Sequence, residues 1–562
     1  MRRCSLLWER VKLALVVVIF IGILFFTSRA QTDILEQSDP KVLNFLAGGY
    51  CPGLVMPGGQ KPLEVLGRLT GEWEAKVANE YLPQGRVGFQ RPWRVRFLEM
   101  PSIGDARGSW AMTRLMGGQA PEFMTAMTTP EFIDTCNKWY VDLSPYLNRP
   151  NPYVPGNKRW IDIFYPDSLS RWRATSDRHL YCIPIDQVEI GIFYNKDIFK
   201  KCGIDEAELK DITWDRFLDI QRRIKDAGEV PFLMPAGDNM RVGWMRDIIN
   251  DMLYAGIYNT LNTIDDPDLA GTSSLDAQEK VRALRKGLVN FDDERYWECW
   301  RLIKEWSQYW QAGYLGTTDN ILFRQGKAAM TVDGSWSVKN LEIDDQRTFQ
   351  YGVFFIPKIT PATSKFSTNS PARGVGGSTA TQFSLTRETA QQKKNAVEAC
   401  VDLLMYITAP KNIGPLVAEG QSFLPTVHGA ALAENLKFMQ PVLEAGCVRC
   451  TGFDDIDVRG RNEWWSNMQL FLDNRLTREQ AVANIKKAVE VSVQESMAKY
   501  KDQWKWIPDA NGQPTWEIVP PVSKLTDAER SNVVTPATAT GDPASLPSSA
   551  PASSPSPTEI RQ

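Results

Sequence analysis

The chain has 562 residues, a length that predicts two large lobes or three to four domains. Its hydrophobic content of 43%, charged content of 23% and net charge of -3 are ordinary for a globular chain, and they exclude wholesale disorder and a strongly basic nucleic-acid-binding protein. The chain holds 19 tryptophans but only 2 histidines, His179 and His428, which favours flat apolar contact surfaces over multi-histidine metal centres. We therefore expect no metal and no cofactor.

Both ends lie outside the predicted fold. Basic residues precede an apolar run from Leu13 to Phe26, which is shorter than the roughly 20 residues of a membrane-spanning helix, and Ser28 and Ala30 suit a signal peptidase. We expect residues 1–30 to be a cleaved signal peptide; an uncleaved N-terminal anchor is the alternative, and either one places the body outside the cytoplasm. From about residue 533 to 562, Pro, Ser, Thr and Ala predominate, which predicts a disordered tail.

Between about residues 41 and 521, short strand-like segments alternate with longer helix-like ones, a pattern typical of an α/β architecture. The pattern predicts strands at 42–46, 94–98, 190–195, 328–332 and 351–356. It predicts helices at 66–81, 213–227, 297–310 and 395–408. Thr213 is expected to cap the second of these helices, with Phe217, Ile220 and Ile224 on its apolar face.

Eight cysteines remain once Cys4 is lost with the signal, and an even number outside the cytosol allows disulfide bonds without indicating which cysteines pair. Cys447 and Cys450 form the one C-x-x-C motif. The motif has neither a second cysteine pair nor a nearby histidine for zinc, and it lacks the strand–helix junction of a redox site. We expect a disulfide within a loop, or two cysteines that pair separately.

The catalytic and nucleotide-binding motifs that we tested are incomplete. A phosphate-binding loop ending at residues 326–327 would need a glycine and a Ser or Thr where Ile321 and Ala328 stand. Residues 374–379 begin like a dinucleotide-binding turn but lack its last glycine. A serine hydrolase built from Ser378 and His428, with Asp402 as the residue that orients the histidine, can still be constructed, although the nucleophile turn is only a near match.

Four stretches of the chain share their order and spacing with one known family. In the first, Tyr194-Asn195-Lys196 ends a strand and opens a helix, and after this stretch Thr213-Trp214-Asp215 opens the following helix. The second ends in Gly334-Ser335-Trp336. The stretches comprise residues 179–204, 323–336, 351–357 and 374–384, the last followed by 396–408 and 420–426. Together they closely resemble the bacterial extracellular solute-binding proteins, the sugar-binding group that serves ABC importers.

The resemblance implies an α/β, two-lobe periplasmic-binding-protein type II fold with a hinge and an interlobe ligand cleft. By analogy, the first lobe would comprise residues 41–188 and 357–419, and the second lobe residues 189–356 and 420–521. The hinge is expected near residues 186–191, where Gly191 can absorb a change of dihedral angle that bulkier residues cannot.

The resemblance also suggests which residues bind the ligand. Trp336 matches the tryptophan that stacks on the ligand in the family, and an indole face suits the C–H face of a sugar ring; a buried core tryptophan is the alternative. Asp186, Gln187 and Glu189 are candidate hydroxyl partners at the point where the chain passes between lobes, or else they bond within the hinge. Glu122 follows a turn at which the family places polar groups facing the cleft.

Three further residues are candidate ligand contacts because they lie near segments that reach the cleft in relatives: Trp244, Arg373 and Trp465. Trp465 has Trp464 beside it on a predicted helix, so a place in the core is the alternative. Compared with the family, this chain has extra material at residues 51–62, near 265–295 and around 446–461. These insertions leave the class of ligand open.

The expected function is to capture a carbohydrate by closure of the lobes and to deliver it to the membrane permease of an ABC importer. The carbohydrate expected is an oligosaccharide. The resemblance implies an extracytoplasmic monomer that is not an enzyme and binds no nucleic acid. Two alternatives stay open. One is a secreted carbohydrate-active hydrolase that uses paired carboxylates such as Asp186 and Glu189, and the other is a ligand-sensing subunit of a membrane receptor.

Overall fold

The computed structural model describes residues 39–519, apart from 40, 56–60, 99–105, 126–135, 171, 175–176, 239, 265–273, 372–380, 388–392, 394–395, 421 and 446–451. The predicted signal peptide, the C-x-x-C motif and the predicted C-terminal tail therefore lie outside the described residues.

Short strands are spread along the whole described chain. In chain order they are β1 (Val42–Leu46), β2 (Arg94–Phe97), β3 (Phe123–Thr125), β4 (Ile183–Pro184), β5 (Asp186–Gln187), β6 (Ile190–Asn195), β7 (Phe232–Leu233), β8 (Met330–Gly334), β9 (Tyr351–Phe354), β10 (Gln382–Leu385), β11 (Leu424–Pro425), β12 (Trp506–Pro508) and β13 (Pro514–Ile518).

Helices lie between the strands. They are α1 (Val65–Lys76), α2 (Ala106–Met116), α3 (Cys136–Trp139), α4 (Ser144–Leu147), α5 (Pro166–Ser170), α6 (Lys196–Lys201), α7 (Trp214–Asp226), α8 (Met240–Tyr254), α9 (Tyr258–Leu261), α10 (Ala277–Arg285), α11 (Glu294–Ser307), α12 (Ile321–Arg324), α13 (Trp336–Glu342), α14 (Ala396–Ile407), α15 (Pro410–Glu419), α16 (Gln440–Ala445), α17 (Val458–Leu472) and α18 (Arg478–Lys499). Within the described part of the chain, no helix is long and apolar enough to cross a membrane.

The first sheet has the strand order β2-β1-β3-β10-β4. β1 reads Val-Leu-Asn-Phe-Leu and is buried along its whole length, as expected of a parallel strand covered on both faces. It pairs in parallel with β2 and with β3, whereas β10 runs antiparallel to β3 and β4. The carboxyl ends of β1 to β4 therefore meet at one edge of this sheet, where β10 begins.

The second sheet has the strand order β7-β8-β6-β9. All residues of its central strand β6 are buried. β6 runs antiparallel to β8, with Ile190 opposite Gly334, and antiparallel to β9, whereas β7 is parallel to β8. The carboxyl ends of β7, β8 and β9 therefore meet at one edge of the second sheet, where β6 begins.

The chain passes from the first sheet to the second through residues 183–195, which we call the crossing segment. It contains β4, the two-residue strand β5 and β6. β5 pairs antiparallel with β11, Asp186 opposite Pro425 and Gln187 opposite Leu424. Two sheets, each with its own helices, confirm the α/β prediction, and a two-stranded ladder joins their edges.

One glycine of the crossing segment lies within a strand. Gly191, at the end of the expected hinge, lies inside β6 and pairs with Asp333 of β8. A Cβ at this position would lie 2.7 Å from Cγ1 of Val353 on β9. The close approach of β9 therefore explains why position 191 holds a glycine and not a larger residue.

A buried carboxylate organises the apolar core behind the first sheet. Asp402 of α14 accepts hydrogen bonds from Nε1 of Trp73 (2.9 Å) and from the Tyr153 hydroxyl (2.5 Å), and it pairs with Nη2 of Arg86 (2.7 Å). The Arg86 guanidinium lies 4.1 Å from the centre of the Tyr81 ring. This network ties α1 and the π-helical turn that follows it to α14.

The long predicted helices form, with small differences at their ends. In α7, Oγ1 of Thr213 accepts the backbone N–H of Arg216 (3.4 Å), and Phe217, Ile220 and Ile224 are fully buried, as predicted. The helix predicted at 66–81 is α1 continued by a π-helical turn, because its apolar residues keep their spacing through the turn. The helices predicted at 297–310 and 395–408 are α11 and α14.

Two cysteines of the described chain lie in the apolar cores. Cys299 of α11 and Cys400 of α14 are buried free thiols. Burial raises the pKa of both thiols well above the ordinary value, because a thiolate would lose its hydration there. We expect both to remain protonated and unreactive in the folded protein.

Candidate functional site

The topology brings the binding edges of the two sheets together. The first edge consists of the carboxyl ends of β1 to β4, and the second edge consists of the carboxyl ends of β7 to β9. The crossing segment leaves the first edge at β4 and enters the second sheet at its own edge through β6. In open α/β sheets, ligands bind outside the carboxyl ends of the strands. The region between these two edges is therefore the candidate site.

Asp186 lies at the start of the passage between the edges and is fully buried. Its Oδ2 accepts a hydrogen bond from the Tyr50 hydroxyl (2.7 Å), and its Oδ1 accepts one from the backbone N–H of Thr381 (2.9 Å). Burial and the neighbouring carboxylate raise the pKa of Tyr50 well above its ordinary value, so its hydroxyl stays a donor. Asp186 therefore holds the turn after β1 and the start of β10 to the crossing segment.

Gln187 and Glu189 carry the crossing segment onward to the second edge. Both side chains are buried. Among the described residues, Oε1 of Gln187 has no hydrogen-bond partner, which is costly for a buried amide. The backbone carbonyl of Glu189 accepts the N–H of Ser335 (2.8 Å), so the crossing segment lies directly beside the start of α13, where Trp336 stands.

Trp336 and Trp244 meet at the second edge. Their ring centres are 5.6 Å apart and the ring planes are inclined by 66°, an edge-to-face contact. Both indoles are only partly buried, and their inner sides pack on the core of the second sheet. The Trp336 ring lies against Gly334, where a Cβ would come within 2.1 Å of it. The glycine of the Gly-Ser-Trp motif therefore makes room for the indole.

A charged pair next to the indoles was missed at the sequence level. Arg241 opens α8, and its Nη2 lies 3.6 Å from Oδ2 of Asp333 at the end of β8. Oδ2 of Asp333 also accepts a hydrogen bond from Nδ2 of Asn320 (2.7 Å), and Oδ1 accepts the N–H of Gly334 (2.9 Å). Asp333 stands three residues before Trp336. Its place beside the Gly-Ser-Trp motif was the one feature of the sequence that could have pointed to the Arg241–Asp333 pair.

Glu122 lies immediately before β3, at the amino end of that strand. Its side chain is fully buried, pairs with Lys393 and accepts hydrogen bonds from the backbone N–H (2.8 Å) and Nδ2 (3.1 Å) of Asn44. Nζ of Lys393 also donates to the carbonyl of Val42 (2.7 Å). These bonds connect β1, the start of β3 and the segment before α14, so the carboxylate is engaged in holding the sheet.

Of the two remaining predicted contacts, the structure describes Trp465, which does not join the indole pair. Trp465 is buried in the core behind the second sheet, 8% exposed, and its ring packs on that of Trp464 with centres 5.9 Å apart. The Arg246 guanidinium lies 4.3 Å from the centre of the Trp464 ring. Arg373 lies outside the described residues. The structure thus places Trp465 in a core, which was the alternative to a ligand contact.

Comparison with known families agrees with this geometry. Residues 109–440, more than half of the chain, match the family model described as bacterial extracellular solute-binding protein. The chain belongs to this family. Membership makes it one of a group of extracellular binding proteins, so its place is outside the cytoplasm.

Curated relatives have names that specify their solutes. The multiple sugar-binding protein of Streptococcus mutans is 24% identical over 298 residues, which are 50% of this chain and 63% of that protein. The lactose-binding protein of Rhizobium radiobacter is 22% identical over 33% of this chain and 38% of its own length. The sn-glycerol-3-phosphate-binding periplasmic protein UgpB of Pectobacterium atrosepticum is 24% identical over 35% and 39%. The match spans less than two thirds of each relative.

Solved structures share the architecture. The apo-form of RafE from Streptococcus pneumoniae superposes with a TM-score of 0.54 at 16% identity, covering 80% of this chain and 98% of that one. A family 1 extracellular solute-binding protein from Bifidobacterium longum subsp. infantis gives 0.54 at 16%, covering 81% and 99%. The protein thus has the α/β, two-lobe periplasmic-binding-protein type II fold, with a hinge and an interlobe cleft.

Proposed function

We propose that the protein captures a carbohydrate, an oligosaccharide in the first instance, in the cleft between its two edges and delivers it to the membrane permease of an ABC importer. The observation that carries the proposal is the pair of partly exposed indoles, Trp244 and Trp336, beside the buried polar crossing segment. Two of the curated relatives are named for binding sugars, which supports the same class of solute.

The chemistry of a sugar ring fits this arrangement. A pyranose has an apolar C–H face and a rim of hydroxyl groups, so it needs a flat apolar surface and nearby hydrogen-bonding groups. The indole pair supplies the apolar surface with few rotatable bonds, and little conformational entropy is lost on binding. The carboxamide of Gln187 and the carboxylate of Glu189 supply polar groups on the adjacent crossing segment.

Capture requires that the ligand favours the closed arrangement of the two edges. A ligand that touches both edges binds the closed state more tightly and shifts the open–closed equilibrium by that difference in affinity. The links between the lobes include the ladder of β5 and β11, which has two residue pairs, and the backbone hydrogen bond from Tyr165 to Thr426 (2.9 Å). They also include the ion pair between Arg178 and Asp276 (2.8 Å). Rotation of the lobes would proceed about these links.

The proposal includes the partners and the route of export. The closed form would dock as a monomer on permease subunits in the membrane, whose ATPases would be separate chains. Residues 1–30 would direct export as a signal peptide or hold the protein as an N-terminal anchor. No catalytic role is assigned to Asp186, since its carboxylate is fully buried and accepts hydrogen bonds from Tyr50 and Thr381. A glycosidase carboxylate must reach the glycosidic bond instead.

A binding screen with a matched control tests the proposal. Tryptophan fluorescence and thermal stability of the purified protein are measured against neutral monosaccharides and oligosaccharides, and the ligand is then recovered and analysed by chromatography. We expect a saturable shift with intact ligand that Trp336→Ala abolishes and Trp506→Ala preserves. Trp506 is the matched control because it is also a partly buried indole that packs on the core of the second sheet. Unlike Trp336, it lies in the hairpin of β12 and β13.

Two results would overturn the proposal. Breakdown of the saccharide during the assay would show the hydrolase that the sequence left open. No response to any saccharide would exclude carbohydrate as the solute. Co-purification with a membrane receptor and not with a permease would favour the sensing alternative and remove the import step alone.

A further inference from the structure

The charged pair at the second edge, Arg241 and Asp333, places a fixed guanidinium beside the indoles. Arg241 and Asp333 have side chains that are 13% and 2% exposed. Nε of Arg241 donates to the carbonyl of Val332 (3.3 Å), and Nη1 makes a long contact to the carbonyl of Thr318 (3.5 Å). These bonds and the ion pair hold the guanidinium against the end of β8.

Arg241 belongs to the same wall as the indoles. Arg241 and Trp244 are three residues apart on α8, so they lie on the same face of that helix. The Trp244 ring meets Trp336 edge to face at 5.6 Å, and Trp336 follows Asp333 by three residues. A guanidinium and two indoles therefore line one side of the candidate site.

The guanidinium keeps donors for a ligand. An arginine has five N–H donors in a fixed plane, and the described hydrogen bonds of Arg241 engage Nε and Nη1. Nη2 stands 3.6 Å from Asp333, close enough for an ion pair but long for a hydrogen bond. Asp333 itself is satisfied by Asn320 and by the N–H of Gly334, so it positions the arginine and leaves an Nη2 donor for a ligand oxygen.

The charge of the pair bears on the class of solute. The positive charge of Arg241 is balanced at 3.6 Å by a buried carboxylate. A phosphate or carboxylate on the solute would have to approach Arg241 next to Asp333, and two negative charges in one partly desolvated site repel each other. A hydroxyl group accepts a hydrogen bond from the guanidinium without this penalty.

We propose that Arg241, positioned by Asp333, binds hydroxyl groups of the ligand and selects neutral saccharides over phosphorylated or carboxylated solutes. This inference rests on the proposed function, which it narrows. It also separates the two kinds of solute for which the curated relatives are named, sugars in two cases and a glycerol phosphate in the third.

Calorimetric titration of the full chain with two sets of probes tests the inference. The first set is a panel of neutral saccharides including lactose, raffinose and maltotriose, and the second is sn-glycerol 3-phosphate and glucose 6-phosphate. We expect binding within the neutral set and at least about 100-fold weaker binding of the phosphorylated set. A hydrogen bond to a charged group changes the affinity by about one to two powers of ten, and a desolvated contact between like charges lowers it by up to several powers of ten.

Variants then identify the residues responsible. Arg241→Ala should weaken binding of the neutral ligand about 10- to 100-fold, and Arg241→Lys should restore only part of it because the planar fork is lost. Arg222→Ala is the matched control, since this exposed arginine of α7 also pairs with carboxylates, Asp219 and Asp226. Asp333→Asn removes the balancing charge at constant size, so the ratio of phosphorylated to neutral affinity should rise about 10-fold or more.

The outcomes separate this inference from the proposed function. Unchanged neutral-sugar affinity in folded Arg241→Ala would overturn the role of Arg241 and leave sugar capture intact. Tighter binding of a phosphorylated probe by the unmodified protein would overturn the selection of neutral solutes. Binding of neither set would overturn the proposed function itself. Circular dichroism of each variant ensures that folded protein is compared, and Arg241→Lys carries the test if Asp333→Asn does not fold.

Discussion

Replacing Gly334 with alanine tests why a glycine stands two residues before Trp336. The Trp336 ring lies against Gly334, and a Cβ built on this residue would lie 2.1 Å from Cζ3 and 2.2 Å from Cη2 of the indole. Gly334 is buried at the end of β8 and pairs with Ile190 of β6, so the ladder holds its backbone in place. The alanine methyl group can be accommodated only if the indole rotates out of its position.

The expected magnitudes differ for stability and for binding. Forcing one methyl group into a packed site costs about 1–3 kcal/mol of unfolding free energy. The displaced indole no longer presents its face beside Trp244, and a central aromatic contact is worth at least about 2 kcal/mol of binding. This corresponds to about a 30-fold rise in Kd. Gly334→Ala should therefore approach the binding defect of Trp336→Ala although Trp336 is still present.

Titration calorimetry with a saccharide that binds the unmodified protein measures the affinity, and urea unfolding followed by circular dichroism measures the stability. Gly71→Ala is the control, since a Cβ at this position inside α1 meets nothing within 4 Å. The control should keep its affinity and gain about 0.5–1 kcal/mol of stability, as glycine is a poor helix former. An unaltered Kd for Gly334→Ala would refute the reasoning, because the position of the indole would then not matter for binding.

Three further predictions concern the body of the protein. Asp402→Ala should lower the unfolding free energy by about 3–5 kcal/mol, because it leaves buried donors unpaired, whereas Arg68→Ala, at an exposed pair, should cost under about 0.5 kcal/mol in the same urea experiment. The hydrogen bond to Asp142 raises the pKa of His179 above 6.5. This pair therefore stabilises the folded state fully below about pH 6.5, and its contribution disappears as the pH rises through the folded-state pKa. His179→Gln should lower Tm at pH 6 and leave it unchanged at pH 9. Cys299 should resist a thiol reagent until the chain unfolds, and fast native labelling would contradict its burial.

Local signals in the sequence were sufficient to predict many elements of this fold. The helix α7 begins where Thr213 can cap it and carries its apolar residues at helical spacing, so its start and its buried face follow from a few neighbouring residues. The strands β1 and β6 are mostly apolar, with Asn44 inside β1 and Asn195 at the end of β6, and such near-continuous apolar runs are the pattern of strands covered on both faces. The Gly-Ser-Trp motif was also local, because the contact that requires Gly334 is made by Trp336, two residues away.

Elements that depend on distant partners could not be predicted in this way. The strands β5 and β11 have two residues each and exist only because the fold places Asp186 opposite Pro425. The helix α8 is buried over much of its circumference, so it shows little of the one-sided apolar pattern that identifies a surface helix. For Glu122, the preceding turn indicated a polar group facing a cleft, but the pairing with Lys393 depends on a residue far along the chain.

The sequence by itself determined the family, the α/β class and the position of Trp336 in a diagnostic motif, because these depend on residues close together in the chain. Tertiary structure alone decided which side chains share the site. It brought Trp244 against Trp336 and Arg241 against Asp333, pairs about ninety residues apart in the chain, and it placed Trp465 in a core. The physical reason is that a local pattern records burial and backbone preference, whereas the partner of a side chain depends on how distant strands and helices pack.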